Sequence, residues 1–297
     1  MRIAFFGLPL AAVLLAADGH EIALAVLSRP GAPGARRLAR LVGRSRVFAK
    51  GDLADQALLD VLSRARTDLL VSWFWTSKLP MAAVRSARLG GVGAHPSLLP
   101  RHRGPDPYFA AIDQGDRDTG VSVHRIAGEY DTGPVLARAV VAIDPSWNAW
   151  QLARRLDRPS LRLLRDVVSR LSRGEAIDER AQDETLATWA AVPSLADCAL
   201  RWSWPTEKIL RRVRALSPAP GAFTELSGSI LTILRARRAE NFPRALAPGE
   251  AAVVDGLAVV RAADGAVVLL CGEIDGENLD AAELCTIVSR SREKVIG

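Results

Sequence analysis

Cysteine is scarce in this sequence, and its spacing excludes two kinds of site. The 297 residues contain three cysteines, Cys198, Cys271 and Cys285, and no two of them have Cys-x-x-Cys spacing. An odd number of widely spaced thiols argues against a disulfide framework and against a structural zinc site. We expect buried, unreactive thiols and no bound metal.

Long apolar segments are also missing. No apolar run reaches the ~18 residues that a membrane-spanning helix needs. Residues Met1–Gly7 predict a strand that ends in a glycine turn. They do not resemble a signal peptide, because Asp18 follows within a helix-like stretch and no cleavage site is evident. We therefore expect a cytoplasmic protein with no membrane partner.

Acidic residues are absent from residues 29–50, where seven basic side chains lie. Such a run can attract phosphate groups, and it equally fits a solvated helix face, so both interpretations stay open. The whole chain carries a net charge of +6 and has 49% hydrophobic residues, which is ordinary for a globular protein. Its length predicts two domains. The basic residues of the run are Arg29, Arg36, Arg37, Arg40, Arg44, Arg46 and Lys50.

Strand and helix signals alternate in the first half of the chain. This alternation predicts an α/β fold with a Rossmann-like, mostly parallel sheet and helices on both faces. Ligands of such sheets bind beyond the carboxyl ends of the strands, where His95 is predicted to lie. The predicted strands are 2–6, 21–27, 67–73, 90–95, 120–126 and 135–143, and the predicted helices are 9–18, 53–65 and 147–171.

The pattern changes after the long helix. Residues 177–197 are weakly periodic and predict a linker between an N-terminal domain, 1–176, and a C-terminal domain, 198–297. Asp255-Gly256 and Asp264-Gly265 mark tight hairpins, and several short strands predict a small, OB-like β-barrel. The predicted strands are 222–226, 230–235, 251–254, 257–261 and 266–270, and the predicted helices are 205–216 and 280–289.

Two short segments have the residue types of a catalytic site. His95 opens the sequence HPSLLPRHRG, in which two prolines and a glycine restrict the loop. A histidine beyond a strand end suits acid–base chemistry, because its pKa lies near neutrality. Asp131 lies in GEYDTG, where it either bonds its own backbone in a turn or orients a nearby histidine. Taken alone, each residue also fits a purely structural role.

Together, these segments resemble the folate-dependent formyltransferases, and within them the enzymes that act on methionyl-tRNA. That family carries Asn-x-His-x-Ser-Leu-Leu-Pro-x-x-Arg-Gly, then Gly-Asp…Thr-Gly-Val and a Gly-x-Asp-Thr-Gly turn. Here HPSLLPRHRG, GDRDTGV and YDTG match, with Glu129 at the first turn glycine, and 36 positions separate His95 from Asp131 as in the family. The segments RIAFFG, DETLATWA and RALSPAPGAF are similar too, so the likeness covers nearly the whole chain.

The resemblance implies an enzyme that transfers a formyl group from 10-formyltetrahydrofolate to a primary amine, with 1–176 as its catalytic domain. By analogy, His95 donates a hydrogen bond or a proton to the formyl oxygen, and Asp131 holds and polarises His95. The residues expected to bind the folate are Ser72, Trp73, Phe74, Trp75, Leu79, Gly128, Glu129 and Tyr130. Those expected to bind the acceptor are Arg36, Arg37, Ser97, Arg101 and Arg103.

Gly93 departs from the family, which has an asparagine at this catalytic position to complete the oxyanion site. Loss of an oxyanion donor typically costs about 10²–10³ in rate. An ordered water can replace the amide, another donor can reach the oxygen, or the chemistry has weakened or changed. The other donors considered are Ser97, His102 and His124, of which His124 lies in a predicted strand and is expected to be structural.

The acceptor stays open between several interpretations, with initiator methionyl-tRNA as the leading one. Arg36-Arg37 match a basic pair of the tRNA enzymes, but residues 38–50 look shortened, and residues 198–297 contain 13 basic and 12 acidic side chains. A small or carrier-bound amine of specialised metabolism is therefore an alternative acceptor. A paralogue that binds folate without turnover is the non-enzyme alternative, because of Gly93. We expect a monomer.

Overall fold

The computed structural model describes residues 1–51, 55–226 and 228–290, apart from the side chain of Asp55. Short 3-10 helices lie at Arg44–Arg46 and Glu184–Leu186. The strands are β1 (Arg2–Gly7), β2 (Glu21–Leu27), β3 (Val47–Ala49), β4 (Leu69–Trp73), β5 (Gly91–His95), β6 (Asp118–Arg125), β7 (Val135–Ala142), β8 (Ala222–Leu226), β9 (Ser229–Arg238), β10 (Ala251–Val254), β11 (Leu257–Arg261), β12 (Ala266–Ile274) and β13 (Glu277–Asp280). The helices are α1 (Pro9–Ala17), α2 (Ala35–Val42), α3 (Asp55–Ala65), α4 (Met81–Ser86), α5 (Pro107–Gln114), α6 (Ala149–Ser172), α7 (Leu195–Cys198), α8 (Thr206–Leu216) and α9 (Ala281–Arg290).

These elements form two compact units. The first consists of the described part of 1–105 with residues 118–142 and 155–190, and the second of residues 106–117, 143–154 and the described part of 191–297. The domain limits predicted at residues 176 and 198 stay a prediction.

Seven of the described strands form the sheet of the first unit, in the order β3-β2-β1-β4-β5-β6-β7. The pairings from β3 to β5 are parallel, and β6 and β7 add two antiparallel strands. The predicted α/β fold with a mostly parallel sheet is thereby confirmed. The strand order reverses between β1 and β4, so the carboxyl ends of β1, β4 and β5 lie where such sheets bind ligands.

Helices cover both faces of this sheet, which explains why its central strands are apolar throughout. Side chains alternate between the faces along each strand. On one face, Phe5 and Val71 pack with Leu164 of α6; on the other, Phe6 packs with Leu62 of α3. A side chain's place in a strand therefore decides which of the two cores it joins.

The second unit contains an antiparallel sheet with the order β10-β11-β12-β9-β8, and β13 pairs with β12. The predicted C-terminal β domain is confirmed as this antiparallel sheet. Asp255 and Gly256 both have positive φ, 50° and 75°, which is the conformation of a tight two-residue hairpin turn. Helices α8 and α9 contribute Ile209, Leu216 and Leu284 to the core of this unit.

Several short elements lie outside the helices and strands predicted from the sequence, namely α2, α4, α5, α7, β3 and β13. Helix α5 had visible signals, since Pro107 takes its first turn and the Asp106 side chain accepts the Phe109 N–H as an N-cap. Helix α3 was predicted to begin at Leu53; residues 53 and 54 lie outside the described residues.

The described helices and side chains add two observations on membranes and metals. No helix in the described ranges has both the length and the apolar composition needed to cross a bilayer. Within the same ranges, no group of three or more His, Cys, Asp or Glu side chains is arranged to hold a metal ion. The three cysteines are free thiols, and burial raises the pKa of the Cys198 thiol.

Candidate functional site

Two neighbouring strands bring three site residues onto one face of the first sheet. His95 is the last residue of β5, as predicted, and Gly93 lies two residues before it. In the antiparallel pairing of β5 with β6, Gly93 lies opposite His124 and His95 lies opposite Ser122. Because side chains alternate along a strand, the imidazoles of His95 and His124 project from the same face.

Asp131 reaches these histidines from the loop that connects β6 to β7. Its φ is 58°, a left-handed conformation that aspartate tolerates better than most residues. The side-chain amide of Gln182 donates to the backbone oxygens of Asp131 (2.6 Å) and Gly133 (2.7 Å). The Gly104 N–H donates to Asp131 Oδ2 at 2.9 Å. The main chain around Asp131 and one oxygen of its carboxylate are thus held in place.

The Asp131 carboxylate lies between the two imidazoles. Its Oδ2 is 3.5 Å from His95 Nδ1, and its Oδ1 is 3.5 Å from His124 Nε2. The side chains of His95, His124 and Asp131 are 9%, 7% and 16% exposed, so the cluster is largely removed from bulk water. The structure therefore brings together the two residues singled out in the sequence and adds His124.

Backbone carbonyl groups define the proton positions on both rings. His95 Nε2 lies 2.7 Å from the His102 carbonyl oxygen, and His124 Nδ1 lies 2.8 Å from the Arg125 carbonyl oxygen. A carbonyl oxygen only accepts, so each of these nitrogens must donate. In the neutral rings, His95 Nδ1 and His124 Nε2 then carry lone pairs that face Asp131. Either ring can take up a proton beside the carboxylate, which stabilises the imidazolium.

Burial and charge set the pKa values of this cluster. Burial has the largest effect on His95 and lowers its pKa, while Asp131 and the His102 carbonyl act in the opposite direction without cancelling it. Burial raises the pKa of Asp131, but His95, His124 and the Gly104 N–H outweigh that effect and hold the pKa of this carboxyl well below its usual range. Near pH 7 the favoured state is a neutral His95 beside a charged Asp131.

We expect the pKa of His95 to lie below 6.5, the ordinary value for a histidine, because burial disfavours the imidazolium. An NMR titration of the ring carbons measures this, with the His95 signals assigned by their absence from the His95→Ala spectrum. In Asp131→Asn the midpoint should fall further, because the negative charge that favours the imidazolium is removed. A midpoint at or above 6.5 in the unsubstituted protein would contradict the prediction.

The loop after β5 holds its polar side chains in internal contacts, including two residues expected to bind the acceptor. Ser97 is fully buried, and its hydroxyl donates to the Arg101 carbonyl at 2.6 Å. Arg103 is 7% exposed, and its guanidinium donates to Gln182 and to both carboxylate oxygens of Glu184. Neither side chain is placed to contact an acceptor, whereas Arg101 is exposed.

The segment predicted as a linker is part of this site. Thr188 accepts the His102 N–H on its hydroxyl at 2.8 Å, and its main chain bonds to Pro100 and Arg103. A β-carbon on Gly104 would lie 2.9 Å from the Trp189 ring, and the φ of Gly104 is +105°, so only glycine fits there. Thr188 and Trp189 belong to the family-like segment DETLATWA, and Gln182 directly precedes it, but the sequence assigns none of the three a place in the site.

The residues expected to bind folate divide between the two faces of the sheet. Trp73 is 3% exposed, donates from Nε1 to Ser160 at 2.8 Å, and packs in the core opposite to the face of Gly93. Phe74 packs against the same core and edge-on to Trp73. The structure therefore gives these two rings a role in packing instead. Trp75 and Leu79 pack on the other face.

Ser72 and the turn before Asp131 border the Gly93 side of the site. Ser72 Cβ lies 3.7 Å from the position that a Gly93 β-carbon would take. Gly128 and Glu129 are exposed, and the Glu129 carboxylate pairs with Lys78 at 2.7 Å. The Lys78 ammonium also lies 5.6 Å from the centre of the Tyr130 ring. The turn that leads into Asp131 therefore carries polar side chains that contact one another.

Arg36 and Arg37 lie in the first turn of helix α2 rather than in a loop, and both are exposed. Leu38 is the buried residue of this helix. The helix therefore presents its arginines to solvent. This exposure fits both interpretations of the basic run 29–50, a phosphate-binding surface and a solvated helix face.

Comparisons with known proteins agree over the whole chain. Residues 9–168 match the family described as formyl transferase, and residues 194–287 match its C-terminal domain. The chain is 33% identical to the methionyl-tRNA formyltransferase of Chloroflexus aurantiacus, over 100% of this chain and 95% of that protein. It is 36% identical to the methionyl-tRNA formyltransferase of Thiobacillus denitrificans, over 92% of this chain and 88% of that protein.

A solved N-formyltransferase from Helicobacter canadensis, in complex with folinic acid and dTDP-3-aminofucose, shares the fold with a TM-score of 0.67. The two chains are 12% identical, over 91% of this chain and 98% of that one.

Proposed function

Since the chain belongs to the formyl transferase family and is a formyltransferase that uses 10-formyltetrahydrofolate, we propose that His95 and Asp131 catalyse formyl transfer to the amino group of methionyl-tRNA. The resemblance to folate-dependent formyltransferases is confirmed. The observation that carries the catalytic proposal is the buried contact between His95 Nδ1 and Asp131 Oδ2 at 3.5 Å.

The geometry favours a base rather than a donor at His95, which revises the role expected by analogy. Nε2 already donates to the His102 carbonyl, so the nitrogen available for chemistry is Nδ1. His95 takes up at Nδ1 the proton that the attacking amine loses, and Asp131 stabilises the resulting imidazolium. The new bond joins the amine nitrogen to the formyl carbon, the bond from that carbon to folate N10 breaks, and the proton ends on N10. The reaction therefore needs no further reactant.

The face that carries Gly93 also has a surface suited to the folate. Ile126 lies 3.8 Å from the Gly93 β-carbon position and packs against the same apolar cluster as Trp75 and Leu79. The indole N–H of Trp75 is buried and has no hydrogen-bond partner among the described residues. Burying such a donor is costly unless an acceptor meets it. We assign Trp75, Leu79, Ser72 and the turn 128–130 to binding of the folate, whose chemical contribution is the formyl group.

Two observations support methionyl-tRNA as the acceptor. The relatives that align over nearly the whole chain are named methionyl-tRNA formyltransferases. Helix α2 exposes Arg36, Arg37 and Arg40, and exposed arginines can neutralise the phosphates of a nucleic acid. An acceptor of this kind also implies a cytoplasmic enzyme.

The acceptor is tested by the release of tetrahydrofolate from 10-formyltetrahydrofolate. We expect release with charged initiator tRNA and none with uncharged tRNA, which lacks the amino group. Release only with amino sugars or other small amines would overturn the tRNA assignment but keep the formyltransferase site. Folate binding without release from any acceptor would show a protein that has lost turnover.

We further expect Arg36→Ala combined with Arg37→Ala to raise KM for the tRNA while kcat changes little, because these side chains lie outside the catalytic cluster. The slope of log KM against log salt should flatten by about 1 to 2, the loss of two phosphate contacts. Arg64→Ala with Arg85→Ala, two exposed arginines on α3 and α4, is the matched control. An unchanged salt slope in the Arg36 and Arg37 variant would exclude the helix from tRNA binding.

A further inference from the structure

We propose that His124 is a catalytic residue whose imidazolium donates a hydrogen bond from Nε2 to the formyl oxygen, in the space that Gly93 leaves beside it. This inference rests on the proposed formyl transfer at His95 and Asp131. It names the group that stabilises the negative charge developing on that oxygen.

The register of β5 and β6 places the His124 ring over Gly93. The two residues are direct partners across the antiparallel strands, and His124 Nε2 lies 3.6 Å from the position of a Gly93 β-carbon. The other nearest atoms, from Ser72 and Ile126, lie at 3.7 and 3.8 Å, which are ordinary contact distances. A side chain would therefore fit at residue 93, and the glycine instead leaves room for a substrate atom next to Nε2.

The His124 ring is held in one orientation. Its Nδ1 donates to the Arg125 carbonyl at 2.8 Å, which leaves Nε2 directed at the cluster. The residue is 6% exposed, so water competes little with a bound oxygen. Since Nδ1 already carries a proton, donation from Nε2 requires the imidazolium, and Asp131 Oδ1 at 3.5 Å supplies the negative charge that stabilises this form. A charged donor makes a stronger hydrogen bond than a neutral one.

Two other donors near the site are already engaged. The Ser97 hydroxyl donates to the Arg101 carbonyl, and His95 Nε2 donates to the His102 carbonyl. Of the ring nitrogens around Asp131, His124 Nε2 is the one beside Gly93. The site then holds two histidines with different tasks, a neutral base at His95 and a charged donor at His124, with one carboxylate serving both.

The test compares His124→Ala with the double variant His124→Ala, Gly93→Asn. We expect His124→Ala to lower kcat by about 10²-fold, the usual cost of one oxyanion donor, with KM for the folate changing little. Asparagine at residue 93 places an amide N–H in the same space, so the double variant should recover at least about tenfold of that loss. Rescue of this kind is not expected if His124 only stabilises the strand.

A conservative substitution provides the second readout. His124→Gln keeps a side-chain amide that donates a hydrogen bond, so its kcat should exceed that of His124→Ala by at least about tenfold. His20→Ala, a histidine of the same unit outside the cluster, should leave the rate unchanged.

The outcomes of these measurements separate the role of His124 from the proposed function. An active enzyme whose kcat is unaffected by His124→Ala overturns this inference and leaves the proposed function intact. Loss of activity without rescue by Gly93→Asn, and with His124→Gln no faster than His124→Ala, also overturns it, because His124 is then structural. An unsubstituted protein that forms no product with any acceptor overturns the proposed function and this inference together.

Discussion

Replacing His95 with alanine lowers kcat for formyl transfer by about 10⁴-fold, at the upper end of what one acid–base group contributes. The large effect is expected because the neighbouring groups offer no second base in the same place. Asp131 is held charged with a pKa far below neutrality, and His124 Nε2 lies on the other carboxylate oxygen. Single-turnover measurements with saturating folate and acceptor isolate this chemical step from binding.

The alanine variant should still bind folate with nearly unchanged affinity, since the imidazole contacts Asp131 and the His102 carbonyl rather than the apolar cluster around Trp75. His20→Ala is the matched control, because it removes a histidine of the same unit outside the cluster. Residual activity above about one tenth of the unsubstituted rate would refute the assignment of His95 as the base.

Asp131→Asn should lower kcat by about 10³-fold, because the amide cannot stabilise an imidazolium on either neighbouring histidine. Asparagine is the informative substitution. It tolerates the φ of 58° at this position and keeps an oxygen that accepts the Gly104 N–H at Oδ2. The fold should therefore survive, and thermal unfolding checks that it does. Asp255→Asn, at a φ of 50° in a hairpin of the other unit, is the matched control for the backbone.

The two substitutions should not be additive. If Asp131 acts through His95, the variant with both changes should be about as slow as His95→Ala alone. Multiplied losses in the double variant would mean that the carboxylate has a separate function in the reaction, such as a direct contact with the acceptor amine.

The limits of helices and strands were predicted best where a long apolar pattern fits only one kind of secondary structure. β1, β2, β5 and the long helix α6 lie within one or two residues of their predicted limits, because each has many buried residues. The short helices α2 and α4 were missed, since eight and six residues give little periodic signal. Their ends depend on tertiary contacts that are not visible in local sequence.

In the site, likewise, the residues of sequence motifs could be predicted, whereas the residues that surround them could not. His95 and Asp131 were identified from two motifs, and the structure places them 3.5 Å apart. Neighbouring aromatic residues look alike in sequence, whereas strand alternation sends Trp73 and Ser72 to opposite faces of the sheet. Burial of Arg103 depends on Gln182 and Glu184, which lie about 80 positions away, and no local pattern pairs them with Arg103.

Because Gln182 supports Asp131, the position at which two related enzymes are joined into a hybrid affects the catalytic site. Gln182 follows Asp131 by 51 positions in the sequence, and it lies after the long helix α6. A hybrid enzyme joined at residue 176 would inherit every strand of the first sheet together with His95 and Asp131, yet its donor at residue 182 would come from the other parent. We therefore expect exchange of C-terminal domains between relatives to preserve catalysis best when the crossover lies after Gln182, so that the aspartate and the amide that holds its main chain are inherited together.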